Sequence, residues 1–129
     1  GSTLRLGRDQ LTFYITPGHT TGVLSTRFLV YDDGYPHEAF LFGGVGLNFE
    51  GEERLQSYVD SVKRLQAMPG IEVNITNHEF EGRIFERYEL LKQRKPDQPH
   101  PFVDPAGFYS WLEGLQADAE ELLAEARAN

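Results

Sequence analysis

The chain has 129 residues, 40% of them apolar and 25% charged, which suits one globular domain with a real core. Its 12 Lys and Arg against 20 Asp and Glu leave a net charge of −8. That balance disfavours a nucleic-acid backbone as partner, which needs a basic face, and gives no polybasic patch for an anionic membrane. With no cysteine, disulfides, thiolate zinc sites and a cysteine nucleophile are also excluded, while the compartment stays open.

No apolar run approaches the roughly 18 residues of a membrane span, and no signal peptide is visible. Gly1-Ser2 reads as the scar of a cleaved expression tag and is set aside, so residues 3–129 are read as one domain. Leu11 to Ile15 predicts the first strand, stopped by Pro17-Gly18. Val23 to Tyr31 is a second strand rich in β-branched and aromatic residues. Asp32-Asp33-Gly34 signals a hairpin turn into a third strand, Glu38 to Val45, where Gly43-Gly44 marks a bulge or a close backbone approach.

Leu55, Tyr58, Val59, Val62, Leu65 and Met68 recur at three and four residues and predict a helix over Glu52 to Met68, ended by Pro69-Gly70. Ile71 to Ile75 is a short strand, followed by a loop at Asn77-His78. Ile84 to Lys92 predicts a shorter helix, and residues 93–103 a proline-rich connection. Asp104 as N-cap and Pro105 at the first helical position start the last helix. Its buried stripe is Phe108, Trp111, Leu112, Leu115, Ala119 and Leu122. The strands do not alternate cleanly, so both sheet faces want cover, and one layer of helices supplies cover for one.

Four histidines carry the chemical options. His19, in "TPGHTTG", and His78 each follow the C-terminal end of a strand, a common position for metal ligands in α/β folds. His37 falls in a turn and reads as solvent-facing; His100, between two prolines, reads as a loop residue packing locally. The glycines of "FGGVGLNF" do not have phosphate-loop spacing, and no GxSxG nucleophile elbow is present. The acidic pairs Glu52-Glu53 and Glu120-Glu121 read as solvated helix faces.

"TPGHTTG" resembles the "TPGHTxG" segment of the metallo-β-lactamase superfamily. "AFLFGGVGLNF" resembles the strand that follows it there, and "EVNITNHEFEG" the final strand bearing the last metal histidine. The long helix and "PHPFVDPAGFYSWL" are similar to the lactamase-like zinc hydrolases, including the subclass with no cysteine on the second zinc. The resemblance runs from about Leu11 to Ala126. It implies an α/β fold, the C-terminal half of a four-layer αβ/βα sandwich, with a mixed sheet covered on one face by helices. It implies a dinuclear zinc hydrolase in which His19 is the third histidine on the first zinc and His78 a histidine on the second.

Three departures accompany the resemblance. Val45 stands where related hydrolases place a bridging aspartate, which argues against the thioesterase and lactonase branches. The adjoining substrate loop, Val45, Gly46, Leu47 and Asn48, has no serine for a substrate carboxylate, which argues against a β-lactam as the natural substrate. The H-x-H-x-D-H motif, which lies upstream in the superfamily, does not occur. The chain is therefore expected to be a half-domain, poor in zinc and inactive alone, acting on a small-molecule substrate once completed. Its expected partner is the N-terminal half or a second copy of itself, as a homodimer. The alternative is a non-catalytic half-domain that self-associates through its uncovered sheet face.

Overall fold

A computed structural model describes residues 1–129. The elements, in chain order, are β1 (Ser2–Leu6), β2 (Asp9–Ile15), β3 (Leu24–Asp32), β4 (Tyr35–Leu41), α1 (Glu52–Gln66), β5 (Val73–Ile75), α2 (Ile84–Lys92) and α3 (Pro105–Ala128). The five strands form one sheet in the order β1-β2-β3-β4-β5. The first four are antiparallel neighbours, and β5 joins β4 in parallel after the α1 crossover, so the sheet is mixed.

Local chemistry explains the turns and the helix ends. Asp33 and Gly34 both have positive φ (49° and 83°) between the paired Asp32 and Tyr35, the two-residue hairpin geometry that Asp-Gly favours. Helix α1 begins without a side-chain cap, but Glu52 and Glu53 sit in its first turn and Lys63 and Arg64 in its last, both favourable to the helix dipole. Helix α3 is capped by Asp104, whose Oδ1 accepts from the Gly107 amide at 3.0 Å, with Pro105 following. The other oxygen of Asp104 accepts from Arg87 Nη2 at 3.0 Å. Arg87 also donates to Gly82 O and Pro101 O, so one nearly buried side chain ties α2 to the segments on either side of it.

Register assigns the two faces of the sheet. Thr12, Arg27, Phe40 and Asn74 lie across from one another on one face. Phe13, Thr26, Leu41 and Ile75 lie on the other. Phe40 packs against Phe108 at 6.0 Å between ring centroids, so the first face is the helix side. There Phe40 and Phe42 form one core with Leu55, Tyr58, Val59, Val62 and Leu65 of α1 and Phe108, Leu112, Leu115, Ala119 and Leu123 of α3. On the opposite face Leu4, Leu6, Ile15 and Leu24 are 46%, 58%, 53% and 46% exposed. No helix is long and apolar enough to cross a membrane.

Several expectations shift. The first strand of the sheet is Ser2–Leu6, which lies before the first strand expected from the sequence; Ser2 belongs to it and pairs with Phe13. The strand expected over Glu38 to Val45 runs Tyr35–Leu41 instead, because Gly43 and Gly44 turn the chain away from the sheet. The buried stripe of α3 ends on Leu123, with Leu122 and Trp111 only partly buried. His37 lies within β4, half-buried, with Nδ1 3.1 Å from Glu72 Oε1, and does not face solvent from a turn. Its partner carboxylate is held below the usual range first by the Glu38 amide and then by His37.

Candidate functional site

Three loops leave the same end of the sheet. The first, Thr16 to Val23, joins β2 to β3 and carries His19. It is closed by the Thr16 amide donating to Val23 O at 2.9 Å and by a buried 2.7 Å contact between Thr16 Oγ1 and Ser25 Oγ. The second, 42–51, leaves β4. The third follows β5 and carries His78.

The glycines of the second loop let it lie against the first. A Cβ on Gly43 would fall 2.1 Å from Leu24 O, and one on Gly44 would fall 2.8 Å from Val23 Cγ2 and 3.0 Å from His19 Cβ. Any side chain there would push the loops apart. Of the two readings of Gly43-Gly44, close backbone approach is the one the structure supports. Both histidine loops are pinned to this segment: His19 Nδ1 donates to Gly46 O at 2.9 Å, and Asn77 Nδ2 donates to Gly43 O at 3.2 Å.

A carbonyl only accepts, so the bond to Gly46 places the proton of a neutral His19 on Nδ1 and leaves the Nε2 lone pair free. That is the arrangement of a metal-binding histidine, whose second nitrogen is held by an acceptor. His78 is exposed, and its loop is closed by its own amide donating to Thr76 Oγ1 at 3.1 Å. No group of three or more His, Cys, Asp or Glu side chains is placed to hold a metal ion. His19 thus presents one nitrogen that could bind a metal ion, and the chain alone does not supply the three or more protein ligands of a zinc site.

The three substrate-loop candidates separate. Val45 is 2% exposed and belongs to the core, and its carbonyl accepts from Tyr58 OH at 2.7 Å. Its side chain is unavailable to any ligand. Burial pushes the Tyr58 hydroxyl pKa well up, with Glu81 and Asp118 adding to it, so Tyr58 stays a donor. Leu47 is partly buried against the same core, and Asn48 is exposed. Asn48 is therefore the one polar, accessible side chain of the three.

Sequence reasoning missed what supports His19. Phe49 meets the His19 ring edge-on at 5.7 Å, and Arg54 and Ser61 of α1 donate to carbonyls of the turn. The available signal was Ser61 inside an otherwise apolar helix stripe, seven residues after Arg54 and so on the same side of α1.

His37 and His100 lie away from these loops. Both line a cleft of about 280 Å³ with Val30, Val73, Ile84 and Phe102, at the β5 end of the sheet. His100 Nδ1 accepts from the Phe102 amide at 3.2 Å, and burial pushes its pKa down. Local packing is what the sequence reading expected of it.

No protein-family model matches the sequence, and no match is found among the curated proteins. Solved structures do match. The chain is similar to the native FEZ-1 metallo-β-lactamase from Legionella gormanii, at 26% identity with a TM-score of 0.86, over 100% of this chain and 51% of that one. It is similar to BJP-1, a subclass B3 metallo-β-lactamase of Bradyrhizobium japonicum, at 23% identity and a TM-score of 0.84, over 99% and 50%. A third similar structure is MEM-A1, a subclass B3 metallo-β-lactamase from a soil metagenome library, at 19% and 0.78, over 99% and 51%. The chain has the α/β fold of these enzymes and spans about half their length, consistent with a C-terminal half.

Proposed function

We propose that this chain is the C-terminal part of a zinc-dependent, metallo-β-lactamase-like hydrolase, contributing His19 to one metal position and His78 to the other. The observation that carries the reading is the His19 imidazole, fixed through Nδ1 to Gly46 O with Nε2 left free at the mouth of the sheet. The remaining donors come from outside the chain, on an N-terminal half. When bound, zinc supplies a hydroxide at neutral pH and a Lewis acid for a carbonyl oxygen.

The chain's own residues have narrower tasks. His19 and His78 bind metal, and the glycines at 43 and 44 let the second loop lie against the His19 loop. Asn48 is the accessible polar side chain that can hydrogen-bond a small-molecule substrate. Val45, buried in the core, takes no part as a ligand. The lack of a serine in 45–48 disfavours a β-lactam as the natural substrate.

The bare apolar face bearing Leu4, Leu6, Ile15 and Leu24 is covered in the complete domain by the other half, since the similar enzymes are about twice as long as this chain. The same exposed leucines favour a second reading for the isolated chain, a two-fold homodimer through that face.

The chain by itself is expected to hold cobalt or zinc weakly and to show no turnover. Isothermal titration and a hydrolase assay on the purified chain check this. His19→Ala is expected to remove the residual metal binding. Tight stoichiometric zinc with turnover, or metal binding untouched by His19→Ala, overturns the reading.

A further inference from the structure

Helix α1 holds the His19 turn through one line of side chains. Gly18 lies directly on the helix: a Cβ there would be 2.6 Å from Tyr58 Cβ and 2.7 Å from Tyr58 Cα. Its φ of +147° is a conformation that other residues rarely adopt. Around this contact, three successive carbonyls of the turn accept from α1. Ser61 Oγ donates to Pro17 O at 2.8 Å, Arg54 Nε to Gly18 O at 3.3 Å, and Arg54 Nη2 to His19 O.

Arg54 also reaches the histidine by a second route. Its guanidinium carbon lies 4.6 Å from the Phe49 ring centroid, within cation–π range. Phe49 in turn meets the His19 imidazole edge-on at 5.7 Å and packs against Tyr58 at 5.9 Å. One side chain therefore fixes both the backbone that carries His19 and the aromatic ring beside its imidazole. The guanidinium suits this task, because its fork offers several donors and its flat face stacks, whereas an ammonium cannot do both.

We propose that Arg54 is a positioning residue for His19, holding the imidazole in the single arrangement in which Nδ1 is bonded to Gly46 O and Nε2 keeps its lone pair free. Arg54 is itself exposed, and none of the core rests on it. Its loss releases the turn and the Phe49 ring without emptying the core. The assignment rests on the reading of His19 as a metal ligand only for its consequence, since the orientation of the ring is measurable without metal.

The test is long-range proton–nitrogen NMR of the imidazoles in the full chain, at about pH 8.5, where an ordinary imidazole is neutral. The parent chain is expected to show His19 almost wholly as the Nδ1-protonated tautomer. Arg54→Met is expected to shift it toward the mixture of an unrestrained imidazole and to weaken cobalt binding roughly tenfold, the usual effect of losing an outer partner of a ligand. Arg54→Lys should recover part of the tautomer preference, and Phe49→Leu should show an intermediate loss. An unchanged His19 tautomer in Arg54→Met and Phe49→Leu overturns the proposal. If Arg54→Met does not fold, the Arg54→Lys and Phe49→Leu tautomers decide it alone. Cobalt binding that ignores His19→Ala while the tautomer responds to Arg54 separates failure of the metal reading from failure of this one.

Discussion

On the helix side of the sheet Phe40 and Phe42 are 0% and 1% exposed, whereas on the other side Ile15 and Leu24 remain 53% and 46% exposed. The residues are of the same kind and come from adjoining strands. What differs is cover. Helices α1 and α3 lie over the first face, while the second is closed only near β5, where Val103 bridges to Val73 and Ile84 and Phe102 come close. A strand apolar on both sides is the mark of a sheet buried on both sides. Here the chain supplies helices for one of them. The difference teaches that hydropathy alone does not say which of two apolar faces is the core.

The sharpest way to break this comparison is to truncate one residue on each face. Phe108→Ala empties the contact between α3 and Phe40 and is expected to cost about 3–5 kcal/mol in urea unfolding. Ile15→Ala is expected to cost no more than about 1 kcal/mol in the monomer, because the side chain is already half in water. Equal costs would mean that the second face is covered in solution.

A smaller effect is expected from pH. Asp104 is held below the ordinary carboxylate range by the Gly107 amide and then by Arg87, and Glu72 by the Glu38 amide and then by His37. Their folded pKa values lie below the unfolded ones, so the unfolded chain takes up protons first as pH falls. The stability they contribute is complete above about pH 5 and is lost as pH falls through the depressed values. His100, pushed down by burial, acts in the same direction, beginning near its ordinary value of about 6.5. The urea midpoint should therefore drop on acidification, and Asp104→Asn should flatten the lower part of the curve. A midpoint that rises toward low pH would contradict these assignments.

The smallest expected change in stability sharpens the comparison most. Leu4→Ser and Leu24→Ser on the bare face should move monomer stability by a few tenths of a kcal/mol, in the range of surface substitutions. In sedimentation they should shift any self-associated chain toward monomer. No shift from an associated state would show that the copies meet elsewhere.

Much of the fold was legible along the chain. The α1 stripe, the Asp104-Pro105 start of α3, the bounds of α2 and the Asp-Gly hairpin all rest on neighbours within about four residues. Strand β1 was not read, although Leu4 and Leu6 alternate with Thr3 and Arg5. Five residues beside an unassigned terminus say little until Leu11 and Phe13 are there to pair with them. Val45 falls with the substrate loop in the sequence. Only the tertiary turn after Phe42 sends its side chain into the core, next to Tyr58.

By itself the sequence determined which residues could do chemistry. It placed His19 and His78 after strand ends, set glycines at 43, 44 and 46, and made both faces of the strands apolar. Tertiary structure decided how they are used. Gly18 rests on Tyr58, Gly43 lies against Leu24 O, and Arg54 reaches His19 across 35 positions of chain. Such contacts leave no periodic trace, because periodicity records the neighbours of a residue along its own helix or strand. Close approach between distant segments is set instead by how the elements pack, and the orientation of the His19 imidazole is fixed there.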